Sequence, residues 1–244
     1  MTIASPSGTS YDVIGTNAPR TDALAKVQGQ AQFAGDLRFH NMAYGRVLRS
    51  PYAHARIASI DTSAAEALPG VIAVMTGRNL PSGDPFYGHA LKDRPVLAKE
   101  RVRFVGEPVA AVAAETPAIA DAALDLIEVE YAELPAATTI DQALAPGAPL
   151  LHNAPALRAG LFHGLGEIRL DEGNVCYHHA FARGDADDVF ANADIVVEGE
   201  YVFPAVFQYS MEPHTTIASW DGDDDLTVWS SCQHPFLVRA ELAD

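Results

Sequence analysis

Few side chains in this sequence have the types and the spacing that metal binding or catalysis requires. His178 and His179 are adjacent, and neighbouring residues on a strand point to opposite faces, so they form a poor chelate. Cys176 and Cys232 lie far apart and outside any CxxC pattern, which favours two buried reduced thiols over a zinc knuckle or an iron–sulfur cluster. The glycines within residues 163–168 follow no predicted strand, which argues against a phosphate cradle. We therefore predict no metal ligand and no catalytic residue here.

Two polar side chains stand at predicted corners of the backbone. Glu107 is either a buried functional carboxylate or, as we favour, a corner residue that accepts hydrogen bonds from backbone amides. Gln233 is predicted to lie at the end of a buried strand, where a helix begins. Its neutral amide can donate a hydrogen bond to a bound group without adding charge, and a rigid strand end would hold that donor in place. The alternative for Gln233 is an ordinary corner residue.

Acidic residues outnumber basic ones by two to one, 32 against 16, and the formal net charge is −16. Such a field repels phosphate backbones, and no local cluster of Lys or Arg offsets it, so nucleic-acid binding is not predicted. The acidic runs Asp185–Asp188 and Asp221–Asp225 lack the spaced loop and terminal glutamate of a calcium site. We interpret both runs as solvated turns.

The composition is that of a globular protein, with 48% hydrophobic and 20% charged residues. A length of 244 residues suits one large domain or two modest ones. No apolar run approaches the ~18 residues that a membrane span needs. The first residues have neither the basic nor the apolar region of a secretory signal, so we expect a cytoplasmic protein.

Strand patterns dominate the elements that must position the two corners. Alternating or short apolar runs predict strands at residues 42–51, 54–61, 71–77 and 126–134, and two strands within 101–116 joined at Gly106–Pro108. Further strands are predicted at residues 193–204, 214–221 and 226–233, the last two joined by a tight acidic turn.

Two helices are predicted between the early strands. Residues 63–71 form the first, with Asp61 or Ser63 as N-cap and Pro69-Gly70 as the stop. The second opens with Pro117 in its first turn. Its apolar stripe consists of Ala120, Ala123, Leu124 and Ile127.

These elements predict an α+β fold with four parts. Residues 1–19 suit an extended arm, and residues 20–140 form a compact α+β domain. Residues 141–190 have little periodicity and are predicted to be a long connection over a surface. Residues 191–244 contain the start of a second, β-rich domain.

Long stretches of the chain resemble one enzyme family. The run from Thr21 to Gly77 is similar to the start of the molybdenum-binding subunit of the xanthine dehydrogenase/aldehyde oxidase family. The resemblance continues through RVRFVGEPVAAVAAET (101–116), ALDLIEVEYAELPAATTIDQAL (123–144), GDADDVFANADIVVEGEY (184–201), YSMEP (209–213) and LTVWSSCQHPFLVR (226–239). It implies an α/β hammerhead domain over residues 20–140, and the incomplete first portion of a molybdopterin-binding domain over residues 191–244.

The resemblance also implies a function that needs other chains. Members of this family oxidise a carbon centre of an N-heteroaromatic, purine or aldehyde substrate with water-derived oxygen, at a molybdenum–pterin cofactor, and carbon monoxide is also open as a substrate. This chain would share that cofactor with the remaining molybdopterin-binding polypeptide. The [2Fe–2S] clusters and FAD would lie on partner subunits. The alternative is a non-catalytic scaffold or interaction protein that retains the hammerhead.

The resemblance assigns one cofactor contact, Gln233. In the family the corresponding glutamine approaches the molybdenum and hydrogen-bonds an oxo ligand. Cys232 stands where the family commonly has threonine, and Glu212, in a recognisable family motif, is assigned a structural role. No glutamate here matches the family's general base, and the resemblance implies that the molybdopterin-binding domain continues beyond residue 244. The expected sites are therefore Gln233 for the cofactor and no catalytic residue.

Overall fold

The computed structural model describes residues 14, 16–81, 86–88, 91–152, 158–159, 173–175, 181–204, 206–222 and 225–243. The helices are α1 (Ala23–Val27), α2 (Ser63–Glu66), α3 (Pro117–Leu124), α4 (Ile140–Leu144), α5 (Ala186–Asn192) and α6 (Pro235–Ala243). The longer strands are β1 (Tyr44–Arg49), β2 (Ala55–Asp61), β3 (Val71–Thr76), β8 (Pro108–Ala114), β9 (Glu128–Glu133), β11 (Thr216–Asp221) and β12 (Asp225–Ser230). The two-residue strands are β4 (Phe86–Tyr87), β5 (Leu91–Lys92), β6 (Arg94–Pro95), β7 (Arg101–Val102) and β10 (Arg158–Ala159).

Two antiparallel three-stranded sheets form the core of residues 44–133. In the first sheet β8 lies between β1 and β3. The sequence of β8 is rich in alanine and valine, which lets neighbouring elements approach closely, and four of its seven residues are buried. In the second sheet β2 lies between β7 and β9. The α+β fold predicted from the sequence is confirmed.

Each sheet contributes to a cluster of buried apolar side chains. One cluster joins Val74 and Val112 of the first sheet to helices α2 and α3, and contains Ala65, Val74, Ala110, Val112, Ala123 and Ile127. The other contains Ala55, Ile57, Ala98, Val102 and Val109. Since alternate residues of a strand face opposite sides, the period-two pattern of the sequence is what places these side chains together.

Helix α3 begins as predicted, with Pro117 at its first position. The Thr116 side chain caps it by accepting a hydrogen bond from the backbone N–H of Ile119 at 3.2 Å. The helix ends at Leu124, so only part of the predicted stripe is helical. Ile127 lies beyond the helix and is nevertheless buried in the same cluster.

The predicted N-cap of α2 is wrong, because Thr62 occupies that position and makes no side-chain capping bond. Asp61 ends β2, and its carboxylate instead accepts a hydrogen bond from the backbone N–H of Ser63 at 2.9 Å. Hydrogen bonding by the Ser63 side chain, together with this backbone bond, lowers the pKa of Asp61. The helix stops at Glu66, before the predicted Pro69-Gly70 stop.

Residues 193–204 are predicted to form a strand, but they form none in the structure. The segment makes no strand ladder, and its side chains are exposed, for example Ile195 at 82% and Val202 at 83%. An alternating sequence forms a strand only where a neighbouring strand supplies backbone partners. The described residues supply none at this segment.

Within residues 141–190 the structure describes parts of two short helices, one short strand and a group of hydrogen bonds made by Asn174. The Asn174 side chain accepts a hydrogen bond from the Leu151 backbone N–H and donates to the carbonyl oxygens of Ala143 and Pro149, at 3.1 to 3.2 Å. The domain boundaries proposed from the sequence remain predictions. None of the helices described is long and apolar enough to cross a membrane.

Candidate functional site

A β-hairpin leads to the glutamine corner. Strands β11 and β12 pair antiparallel from Thr216 opposite Ser230 to Asp221 opposite Asp225. Gly222, at φ +74°, begins the turn between them, in the left-handed region that glycine adopts readily. Phe39 packs on Trp229 of the hairpin, with ring centroids 4.7 Å apart. The hairpin predicted from the acidic turn is confirmed.

Hydrogen bonds fix the backbone just before the corner. The ladder extends one residue past β12, since the Ser231 N–H donates to the Thr215 carbonyl at 3.2 Å. The Ser231 hydroxyl accepts from the Thr215 N–H at 3.1 Å and donates to the Pro213 carbonyl at 3.3 Å. The Cys232 N–H then donates to the Ser230 carbonyl at 3.0 Å. The chain is thus held up to the residue that precedes Gln233.

Gln233 itself is exposed, and its side chain has no hydrogen-bond partner among the described residues. The sequence suggested that it ends a buried strand, and this is wrong, because the inner positions of β12 are only half-buried. The amide keeps two donors and one acceptor uncommitted to described protein groups. A neutral, uncommitted amide beside a fixed backbone can hydrogen-bond a bound group.

The corner is compatible with an anionic metal–pterin group. Residues 229–235 contain no acidic side chain that would repel it. In sequence, α6 starts two residues after Gln233, and its first intrahelical bond runs from the Val238 N–H to the His234 carbonyl at 3.0 Å. One amide is a single contact, so these residues fit one point of attachment rather than a complete cofactor cradle.

Glu107 is a buried corner residue, as favoured from the sequence. It is 1% exposed, and its carboxylate accepts hydrogen bonds from the backbone N–H of Arg103 and, at 3.2 Å, from the Arg103 guanidinium. Sequence reasoning missed Arg103 as the partner. The four-residue spacing of opposite charges around a glycine turn was the available signal. This ion pair makes the turn rigid.

Other candidate residues have mixed outcomes. Cys232 is a free, exposed thiol, so its predicted burial is wrong; it follows a strand end rather than lying within the strand. Asp185 caps α5 by accepting the Asp188 N–H at 3.0 Å, so the first acidic run is a helix start, where negative charge is favourable. In the second run, Asp221 ends β11 and Asp225 begins β12, while residues 223 and 224 lie outside the described part. Glu212 has no hydrogen-bond or ion-pair partner among described residues, so its structural role stays a prediction.

Several predicted positions lie outside the described residues. They are Cys176, His178, His179 and residues 163–168, together with most of the predicted arm at residues 1–19. Within the described ranges, no three His, Cys, Asp or Glu residues are grouped so as to hold a metal ion.

Comparison with protein-family models gives two matches in chain order. Residues 28–135 match the model described as "Aldehyde oxidase and xanthine dehydrogenase, a/b hammerhead domain". Residues 169–244 match the "Molybdopterin cofactor-binding domain". The glutamine corner therefore lies within the second match, and the turn that contains Glu107 lies within the first.

Curated proteins and solved structures agree with these matches. The chain is 38% identical over 92% of its length to a probable xanthine dehydrogenase subunit of Bacillus subtilis (strain 168), and covers 28% of that protein. It is 36% identical over 97% of its length to the "Nicotinate dehydrogenase large molybdopterin subunit" of Eubacterium barkeri, and covers 51% of it. Quinoline 2-oxidoreductase from Pseudomonas putida 86 superposes over 94% of the chain and 28% of its own, with a TM-score of 0.75 and 34% identity. The chain thus spans about half or less of the length of these relatives.

Proposed function

Because the chain belongs to the aldehyde oxidase and xanthine dehydrogenase family, we propose that it is the N-terminal portion of the molybdopterin-binding subunit of a molybdenum hydroxylase. The observation that carries this proposal is the order of the two domain matches on one chain, residues 28–135 and then 169–244. The same order of a hammerhead and a β-rich segment was implied by the resemblance of the sequence. The activity belongs to the assembled enzyme and not to the isolated chain.

Gln233 is the cofactor contact in this proposal. When bound, the molybdenum–pterin group supplies the two-electron oxidation of a carbon centre with oxygen taken from water. The Gln233 amide donates a hydrogen bond to that group and helps to fix its orientation, as polar groups around a metal commonly do. Ser231 and Thr215 hold the preceding backbone, so the donor starts from a fixed point. A neutral amide does this without adding negative charge.

The substrate in this proposal is a small molecule with an oxidisable carbon, in an N-heteroaromatic ring, a purine or an aldehyde. The names of two relatives, at 36% and 34% identity, contain nicotinate and quinoline, which are nitrogen heteroaromatics. The Bacillus subtilis relative is called a probable xanthine dehydrogenase, which adds the purines.

Electrons leave through [2Fe–2S] clusters and FAD on partner subunits. A [2Fe–2S] cluster is usually held by four cysteine thiolates, and this sequence has two cysteines in total. Two cysteines are too few for such a cluster within these 244 residues, and in this proposal the clusters lie on partner subunits. The cytoplasmic location expected from the sequence stays a prediction.

Metal and pterin analysis of the complex tests the proposal. The full-length polypeptide, purified with its partner subunits, should contain about one molybdenum and one pterin per copy. The 244-residue chain alone should bind no molybdenum, because one amide cannot hold a pterin that needs many hydrogen bonds. A stable complex without molybdenum and pterin would overturn the proposal and favour a non-catalytic scaffold.

A further inference from the structure

The turn that joins β7 to β8 projects two apolar side chains into solvent. Phe104 is 46% exposed and Val105 is 65% exposed. The turn is nevertheless firmly held, since the Gly106 N–H donates to the Ser50 carbonyl at 2.8 Å and the Ser50 N–H donates to the Glu107 carbonyl at 2.9 Å. Gly106 has φ +91°, a conformation that a side chain would strain. The exposure of Phe104 and Val105 therefore belongs to a fixed turn.

The buried carboxylate of Glu107 stabilises the turn that carries Phe104 and Val105. The Glu107 carboxylate is held by the backbone and guanidinium of Arg103. Burying a carboxylate is costly unless it is paired and hydrogen-bonded. The Glu107–Arg103 pair therefore favours one conformation of the turn. A rigid turn that presents apolar side chains is preorganised for binding, because little conformational entropy remains to be lost.

The surface around the tip is positively charged. The exposed Arg49 side chain donates to the Gly106 carbonyl at 2.9 Å. On the adjoining sheet, Arg56 of β2 lies directly opposite Arg101 of β7. The next pair along, Ala55 and Val102, is fully buried, so Arg56 and Arg101 lie on the outer face of the sheet.

Among the described residues, the opposed side chains of Arg56 and Arg101 form an electrostatically unfavourable pair. Like charges directly across a strand pair destabilise a sheet. The residue opposite Arg56 on its other side is Ala132, which offers no compensating carboxylate. The same positive field contributes to lowering the pKa of His152, for which burial is the main cause and Arg103 and Arg101 add to it. In a chain of net charge −16 this local excess of positive charge stands out.

We propose that Arg49, Arg56, Arg101, Phe104 and Val105 form a docking face for an acidic segment with apolar residues on another polypeptide of the assembled enzyme. This inference rests on the proposed function, which places the chain in a multisubunit complex. A carboxylate between Arg56 and Arg101 relieves their repulsion, and an apolar recess receives Phe104. A second copy of this chain is disfavoured because two chains of net charge −16 repel each other.

Cross-linking in the intact complex identifies the occupant. Lys99 is exposed and lies two residues before Arg101, so its amine can reach carboxylates at the docking face. A zero-length carbodiimide reagent should join Lys99 to an Asp or Glu of a different polypeptide, as read by mass spectrometry. Lys26, exposed in α1, is the control lysine and should not join that carboxylate. A product with another part of the same polypeptide, or with a second copy, would overturn the proposal.

Two variants test the face by affinity. Arg56→Glu and Phe104→Ser should each raise the dissociation constant for the partner subunit by about 10- to 30-fold. This is the scale of a central interface residue. Arg56→Glu should also reduce the salt dependence of binding. Lys26→Glu and Ile72→Ser, at exposed positions elsewhere, are the matched controls. Unchanged affinity in both test variants contradicts the docking face. Molybdenum content of the wild-type complex, measured in parallel, reports separately on the proposed function.

Discussion

Residues 44–133 contain several alternating segments and residues 193–204 contain another, but among the described residues only the first region buries its apolar side chains. Ile57 and Val109 are 3% and 0% exposed, whereas Ile195 and Phe203 are 82% and 90% exposed. The difference is that every long strand of the first region has a hydrogen-bonded neighbour within the region. A period-two pattern specifies which face is apolar, and the presence of a neighbouring strand decides whether a strand forms.

Hydrogen exchange of the 244-residue chain should show this contrast most strongly. Amides of β2 and β8 should open only with global unfolding, while those of residues 195–204 should exchange nearly as in an unfolded peptide. For a domain at the low end of ordinary stability, the rates should differ by about 1,000-fold or more. Uniform protection across both regions would break the comparison.

Removal of a buried charge should destabilise the first region severely. Glu107→Ala leaves the Arg103 guanidinium, which is 17% exposed, without its partner, and should lower the free energy of unfolding by about 3 kcal/mol. Glu107→Gln retains an acceptor for the Arg103 N–H and should cost less. Urea denaturation measures both, with Asp225→Ala in the hairpin as the control. Equal stability of wild type and Glu107→Ala would show that the turn does not depend on this pair.

Two helix caps of the same kind should differ in effect. Thr116 caps α3, which buries Ala120 and Ala123, whereas Asp185 caps α5, which buries no residue. Thr116→Ala should therefore lower the free energy of unfolding by about 1 kcal/mol. Asp185→Ala should lower only local helicity, since α5 makes no buried contact that couples it to the core. Equal losses in global stability would contradict this separation.

The smallest expected effect is a pH dependence from His152. Burial, with a further contribution from Arg103, lowers the pKa of His152 below its usual 6.5. The unfolded chain then binds more protons than the folded chain near pH 6, so the free energy of unfolding rises with pH in this window. This contribution is lost as the pH falls below about 6.5. His152→Gln should flatten that slope in urea titrations at pH 5, 6 and 7, and an unchanged slope would assign it to other groups.

The sequence predicted the first region well because local signals and packing agree there. Pro117 and Thr116 marked the start of α3, and the alternation at residues 54–61 marked β2. The prediction failed at the N-cap of α2. Asp61 lies at the end of β2, and from there its carboxylate accepts a hydrogen bond from the Ser63 N–H. Asp61 was correctly predicted to accept a backbone hydrogen bond near the start of the helix. It is not the N-cap, because β2 extends through Asp61.

After residue 190 the pattern alone was insufficient. Residues 193–204 have a strand sequence without a described strand beside them, and Cys232 and Gln233 follow β12 instead of lying within it. The hairpin was predictable because Gly222 and the acidic turn are local signals. Gln233 was found through the resemblance of its surroundings to a family. Its exposure and lack of described partners depend on tertiary contacts that a sequence pattern does not contain.

Turnover of Gln233 variants in the full-length complex tests the central claim most directly. At equal molybdenum occupancy, Gln233→Ala should lower kcat by roughly 10- to 100-fold, because a contact that orients the cofactor is lost. Gln233→Glu should be worse, since a carboxylate adds negative charge beside an anionic group. Gln30→Ala, at an exposed glutamine elsewhere, should leave kcat unchanged. Wild-type kcat in both Gln233 variants would contradict the account and leave Gln233 as an ordinary corner residue.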